Sequence, residues 1–314
     1  MRANEKKIDY RNTQLSVAER ARALLSEMSP EEKMAQVTCY LAVPGKCDTL
    51  AEEFSLGVGA VSSLEMCGLD TLEECINLQK GLQEEIMRLS PHDIPAIFHM
   101  EGLCGALIQG AASFPGGIGR GSCWNPELEK EIGRIVGEQE RAVGITQTLA
   151  PVLDINRDAR MGRQGETYGE DAALASALGS AFVNGVQGES SGKRTDSVAK
   201  HFLGFHAGEA GIHGAHCEIS DKLLQELYAK PFQAAITESG LKGIMPCYCS
   251  MNGEPVSASE EILTHLLREK MGFDGMAISD YCAIMNIHEV QKVCASFTEA
   301  GFRAMKAGMD MECQ

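Results

Sequence analysis

Five groups of residues along this chain carry chemistry. His99-Met100-Glu101 closes one apolar run. A charge-dense loop further on holds Arg157, Asp158, Arg160, Arg163, Glu166, Glu170 and Asp171. Lys200-His201 ends a second apolar run, Tyr248 a third and Asp280-Tyr281 a fourth. Carboxylates, an Arg and a Lys-His pair suit a hydroxyl-rich ligand, because each makes charge-assisted hydrogen bonds to OH groups. His201, His206, His213, His216 and Cys217 also invite a metal reading, since two ligands at i and i+3 with a third further back suit zinc. No second acidic or cysteine signature supports that reading. The stretch reads better as a Gly-rich loop with solvated histidines, so neither a metal nor a cofactor is expected.

Plainer roles compete for several of these residues. Asp280 pairing with Arg163 would make a purely structural ion pair. Arg157 and Arg160 read as loop braces, and Glu166, Glu170 and Asp171 as a mix of bracing and acids at a helix start. The single Trp124 reads as packing at a helix start, and the Met residues as core filling.

Whether the groups meet depends on the elements between them. Strand-length apolar runs fall at residues 35–43, 58–64, 94–100, 146–155, 197–202, 241–248, 275–279 and 308–312. Helical patterns lie between most of them, at 16–28, 71–89, 125–143, 172–186, 221–237, 259–271 and 298–306. Ser16 with Glu19 forms a capping-box pattern, Ser29-Pro30-Glu31-Glu32 a second helix start, and Asn125-Pro126 a third. Short strands joined by helical crossovers imply a parallel sheet. Eight of them predict an α/β chain folded as a (β/α)8 TIM-type barrel, allowing for distortion, with the last helix absent. No GxGxxG follows the first strand, which weakens a dinucleotide-binding alternative. In such a barrel the five groups all fall at C-terminal strand ends or in the loops that follow, on one face.

The chain has 314 residues, read as one barrel domain with residues 1–15 as an N-terminal extension. Its net charge of −16 argues against nucleic acid or an anionic membrane as partner. No apolar run approaches the length of a membrane span. The N-terminus has no apolar segment of the secretory type. Twelve Cys without a CxxC pair read as reduced, mostly buried thiols. The cytoplasm is therefore the expected compartment, with a secreted form whose signal has been removed as the alternative.

The motifs together resemble glycoside hydrolase family 3, in its β-glucosidase and β-xylosidase branch. They are Met100-Glu101-Gly102-Leu103-Cys104-Gly105, Leu149-Ala150-Pro151-Val152-Leu153-Asp154, Gly162-Arg163 through Glu170-Asp171, Lys200-His201-Phe202 and Gly272-Phe273-Asp274-Gly275 through Asp280-Tyr281, in that order. The resemblance covers residues 20–314 and implies the N-terminal catalytic barrel of a retaining exo-β-glycosidase. By the same resemblance Asp280 is the nucleophile, and Lys200, His201 and Arg163 grip sugar hydroxyls. Tyr248 stands beside the nucleophile. Glu101 holds two hydroxyls and, as Glu rather than Asp, leans towards xylosidase-like members. The substrate implied is a small saccharide ending in β-linked glucose or xylose. Cys104, Met161, Phe205-His206 and Ile212 depart from the usual pattern and bear on the shape of the sugar subsites.

Half of the chemistry is missing from this list. A retaining glycosidase needs an ionised nucleophile and a second carboxyl or equivalent acid about 5 Å away. In the two-domain relatives the acid comes from a later domain. The single-domain β-N-acetylglucosaminidases use a His paired with an Asp in the loop after Lys-His-Phe. Here His213 has about the right spacing, but Gly211 stands where the Asp belongs. Glu209 fits the two-domain type. Gln314 follows closely on the eighth strand. The expectation is therefore a missing C-terminal domain or second chain supplying the acid. The alternatives are a catalytically incomplete carbohydrate-binding barrel and an unrelated metal-dependent hydrolase built on the His-rich loop.

Overall fold

The helix starts are set by local hydrogen bonding. Ser16 with Glu19, Ser29 with Glu32 and Thr71 with Glu74 form reciprocal capping boxes at the heads of Val17–Glu27, Pro30–Ala35 and Leu72–Leu89. Asn125 caps Pro126–Ala142 with Pro in the first turn, and Asp171 caps Ala172–Gln187. The computed structural model describes residues 9–42, 50–188 and 195–313.

Among the described residues ten strands follow in order: β1 (Cys39–Leu41), β2 (Ala60–Ser62), β3 (Ile97–Met100), β4 (Gln147–Thr148), β5 (Asp196–Phe202), β6 (His216–Cys217), β7 (Gly243–Pro246), β8 (Ser250–Met251), β9 (Glu254–Pro255) and β10 (Met276–Ala277). Seven of them form one sheet in the order β1-β2-β3-β4-β5-β7-β10, every pairing parallel. The segment expected as the eighth strand makes an isolated parallel bridge between Met311 and Ile278. It still lies between the two edges. Ser279 N–H donates to Met311 O at 2.9 Å, and Glu312 N–H donates to Val37 O at 3.1 Å. The curled sheet with its outer helices is the expected (β/α)8 TIM-type barrel. Ala60, Leu149, Val198, Met245, Ile278 and Met311, drawn from around the sheet, pack together as one buried cluster.

Several elements are shorter or differently built than their patterns suggest. The run at 35–43 yields only β1, because the helix from Pro30 extends to Ala35; residue 43 lies outside the described residues. The run at 146–155 yields β4 and then one bridge from Val152 to Lys200. Pro151 between them has no N–H to give the ladder. The helical run at 221–237 divides into Asp221–Leu223, a π-helical turn Leu224–Tyr228, and Lys230–Ser239 beyond it. The run at 259–271 is the π-helix Glu261–Lys270. A helix at Ala283–Glu289 was not legible in the sequence, nor was the small sheet β6-β8-β9. At the eighth-strand segment an apolar groove of about 430 Å³ is lined by Met34, Val37, Ile284, Met305, Met309 and Met311. No helix of the described residues is long and apolar enough to cross a membrane.

The two helices behind β4 and β5 sit unusually close. A Cβ added at Gly133 in Pro126–Ala142 would meet Phe182 O at 2.4 Å, and one at Gly185 in Ala172–Gln187 would meet Lys130 O at 2.1 Å. Neither neighbour is a side chain that can swing aside. Gly133→Ala is therefore expected to destabilise the fold by about 1–3 kcal/mol through overpacking. Gly81→Ala is the control, because a Cβ there meets nothing within 4 Å. It should be neutral or stabilising by up to about 1 kcal/mol, from helix propensity alone. Urea midpoints of the two variants check the contrast, and equal effects would refute it.

Candidate active site

All six candidate site residues lie at the C-terminal ends of parallel strands or just past them. Glu101 follows β3, Arg163 lies in the loop after β4, and Lys200 and His201 are within β5. Tyr248 follows β7 and Asp280 follows β10. The barrel thus brings the six to one face, as the sequence predicts.

Their contacts make a closed network. Lys200 Nζ donates to both oxygens of Glu101, at 2.7 and 2.6 Å, and is 3 % exposed. His201 Nδ1 lies 2.7 Å from Asp154 Oδ2, and the same oxygen accepts the His201 backbone N–H at 3.2 Å. His201 Nε2 is 3.0 Å from Arg163 Nη2 and 3.6 Å from Asp280 Oδ2. Arg163 is held from its other side by Glu166, at 2.7 and 2.8 Å. Asp280 Oδ1 accepts the Tyr281 N–H at 2.8 Å, while its buried Oδ2 accepts no hydrogen bond. The Tyr248 hydroxyl donates to Tyr281 O at 2.9 Å.

Phe205 is the floor of the site. Its ring lies 4.8 Å from His201, 5.1 Å from His213 and 6.0 Å from Tyr248, with the Arg163 guanidinium 5.1 Å above it. A cation over an aromatic face is attracted by the ring quadrupole. Phe205 belongs to the pair that departs from the family pattern, and it packs against three of the site residues, His201, Tyr248 and Arg163.

Burial and charge set the protonation tendencies. Burial raises Asp280, opposed by Lys200, Tyr248, the Tyr281 N–H and Arg163. Burial also pushes Asp154 up to about 8, against the pull of Arg163. His201 is driven well below its ordinary value by burial, then by Arg163 and Lys200. Glu166 ends below the usual carboxylate range: burial pushes it up, but the Arg163 hydrogen bond and charge outweigh that. Burial and then Arg163 lower His213, with Asp280 and Glu166 acting the other way.

A model of the "Glycosyl hydrolase family 3 N terminal domain" matches residues 51–314. The chain belongs to glycosyl hydrolase family 3. A β-xylosidase of Formosa agariphila is 35% identical over 204 residues, 63% of this chain and 28% of that protein. A β-glucosidase of Rhizobium radiobacter is 34% identical over 222 residues, 67% of this chain and 26% of that protein. Among solved structures, a β-glucosidase from Erythrobacter marinus superimposes with a TM-score of 0.90 at 31% identity, over 97% of this chain and 41% of that one. A β-glucosidase from Listeria innocua in complex with glucose gives 0.83 at 26% identity, over 94% and 41%. The chain thus spans about a quarter to two fifths of the length of these relatives.

Within this family 3 barrel several of the remaining candidates make the contacts expected of the plainer roles. Asp158 caps the turn Ala159–Met161 and pairs with Arg160. Arg157 faces the Tyr228 hydroxyl. Asp171 caps its helix through the Leu174 N–H at 2.8 Å. The loop histidines are aimed apart: His206 at Asn156, His213 at Tyr248 and Phe205, His216 at Glu218. Among the described residues no group of three or more His, Cys, Asp or Glu is arranged to hold a metal ion. Trp124 is 69 % exposed, not packed as the sequence suggests. Two members of the network were missed. Asp154 ends an apolar run as many structural acids do. Phe205 is apolar and carries no chemical signature. Glu166, read from sequence as a brace, braces Arg163.

His99, on β3 beneath this network, is fully buried, and burial followed by Lys200 lowers its pKa to about 4. In the unfolded chain it takes up a proton near pH 6.5; in the folded chain it stays neutral until about pH 4. Its stabilising contribution is therefore whole above pH 6.5 and is lost as the pH falls towards 4. Between pH 7 and pH 5 the native protein should lose about 2 kcal/mol more stability than His99→Gln. Urea unfolding at the two pH values measures the difference. Parallel losses in both proteins would mean that His99 is not held neutral.

Proposed function

We propose that the chain is the barrel half of a retaining exo-β-glycosidase that removes terminal β-linked glucose or xylose through a covalent glycosyl-aspartate. The observation that carries this reading is Asp280: 5 % exposed, one oxygen fixed by a backbone N–H and the other without a donor. An oxygen unencumbered by hydrogen bonds retains its basicity for attack at the anomeric carbon. Lys200, His201, Arg163, Glu101 and Tyr248 take the sugar-binding positions around it. That many charged groups on one ring suit a closed pocket and a single terminal sugar. The names of the relatives, β-xylosidase and β-glucosidase, support both sugars equally. Glu101 tilts the choice towards xylose, since the longer side chain leaves less room around the hydroxyls.

The general acid is placed outside this barrel, on a C-terminal domain or a second chain. Gly211 lies where an Asp partner for His213 would stand. Its φ of +69° and the 2.6 Å approach of an added Cβ to Arg160 Cβ exclude a side chain there. Burial and then Arg163 lower His213, which disfavours its protonated form. Glu209 is exposed.

Two measurements test this function. Asp280→Asn is expected to abolish labelling by an activated 2-fluoro-glycoside, read by mass spectrometry of the digested protein. A label that persists in the variant, or sits on another carboxylate of the parent, would overturn the assignment. The second compares leaving groups on the isolated chain. General acid catalysis is typically worth about 10²–10⁴-fold for a sugar leaving group and far less for dinitrophenolate. Xylobiose and cellobiose should therefore be turned over far more slowly than the matching dinitrophenyl glycosides. Comparable efficiency on both would place an acid within this chain and defeat the proposal of an external one.

A further inference from the structure

His201 is 1 % exposed, and each ring nitrogen has a defined neighbour. Nε2 faces Arg163 Nη2 at 3.0 Å. Arg163 is itself turned by the two oxygens of Glu166, so that contact is fixed from both sides. A guanidinium only donates hydrogen bonds. Nε2 must therefore present a lone pair, and the single proton of the neutral ring must sit on Nδ1. There Asp154 Oδ2 accepts it at 2.7 Å, and also accepts the backbone N–H of the same residue at 3.2 Å. We propose that Asp154 is a positioning residue that locks His201 in the Nδ1–H tautomer, and that this lock keeps Asp280 Oδ2 free of a donor.

The consequence follows from the 3.6 Å between His201 Nε2 and Asp280 Oδ2. In the other tautomer an N–H on Nε2 meets the Arg163 donor head-on. It also turns a proton towards the oxygen that is to attack the sugar. A carboxylate oxygen that accepts a hydrogen bond is a weaker base, and Arg163 is pushed out of register with Glu166. Burial works the other way, favouring a proton on Asp154. A protonated Asp154 would donate to Nδ1 and force that second tautomer. The contact with Arg163 decides against it, because the guanidinium cannot become an acceptor. Asp154 need not touch a ligand for this; it acts through the imidazole.

The inference rests on reading Asp280 as the nucleophile, but its test has a readout independent of turnover. Long-range ¹H–¹⁵N spectra of the chain labelled with ¹⁵N-histidine distinguish a protonated from an unprotonated ring nitrogen. His201→Gln assigns the signals. In the parent at pH 7, Nδ1 is expected protonated and Nε2 bare. Asp154→Leu, which leaves Nδ1–H without an acceptor, is expected to release the ring so that the Nε2–H form appears. It should also slow labelling of Asp280 by a dinitrophenyl 2-fluoro-glycoside at least tenfold, with a smaller change in inhibitor binding. Asp154→Asn, whose carbonyl oxygen still accepts from Nδ1, should keep the parent tautomer. A parent His201 protonated on Nε2, or on both nitrogens, overturns the lock. So does an Asp154→Leu spectrum like the parent's. A changed tautomer with an unchanged labelling rate overturns the link to Asp280. If Asp154→Leu does not fold, the parent spectrum alone decides the tautomer. Failure of the nucleophile reading shows separately, as a label found elsewhere while the His201 signals remain as expected.

Discussion

A carboxylate held out of water with one oxygen undonated is the constraint around which this site is arranged. Burying a charge is costly unless it is paired. Asp280 gains the field of Lys200 and Arg163 without a direct ion pair to either, so it is stabilised without being tied up. The two cations are instead engaged elsewhere. Lys200 gives its protons to Glu101, and Arg163 gives its own to Glu166 and His201. An arginine paired straight to Asp280 would be a stronger bridge but would occupy the oxygen that is left undonated here. The structural ion pair between Asp280 and Arg163, the plain reading open from sequence, is not formed; both groups are present, but each is directed to another partner.

Such an arrangement tolerates little movement, and the barrel supplies the rigidity. Asp154, Lys200 and His201 sit on adjacent chain segments joined by backbone hydrogen bonds. Leu153 N–H donates to Lys200 O, and Lys200 N–H to Pro151 O. Phe205 packs beneath the residues of the loops above. The cost is close backbone approach at several points. At Gly102, a Cβ would meet Thr148 Oγ1 at 1.9 Å and Glu140 Oε1 at 2.7 Å. Glycine there lets the chain pass under Glu101 and against a carboxyl that burial holds well above its usual range.

How much of this the sequence shows depends on the kind of signal. Strand ends were legible because a buried parallel strand is an apolar run, and charge at its end is conspicuous. Asp280, Lys200, His201 and Glu101 all stand at such ends. The alternation of strands and helices was legible for the same reason. What stayed hidden has no local pattern. Asp154 is one more acid at the end of an apolar run, and only the fold brings it 2.7 Å from a histidine 47 residues later. Phe205 looks like core. The π-helical turns and the helix at Ala283–Glu289 depend on packing rather than periodicity. Gly211 shows the reverse case. Its sequence position raised a question about an absent aspartate, and the close approach to Arg160 gives a steric reason for glycine there.

The same electrostatics bear on where a second catalytic group can stand. A general acid must remain protonated near neutral pH, which needs burial or a neighbouring negative charge. On the barrel face the outcome differs from carboxyl to carboxyl: Arg163 draws Glu166 below the usual range, while burial carries Asp154 up to about 8. Lys200 and Arg163 both pull Asp280 downwards against the burial that raises it. Asp154 escapes that pull but is already engaged by His201, through Nδ1 and the backbone N–H. On the proposed reading of Asp280 as nucleophile, an acid partner is therefore better set beyond the field of the two cations, where keeping it neutral does not compete with keeping Asp280 ionised.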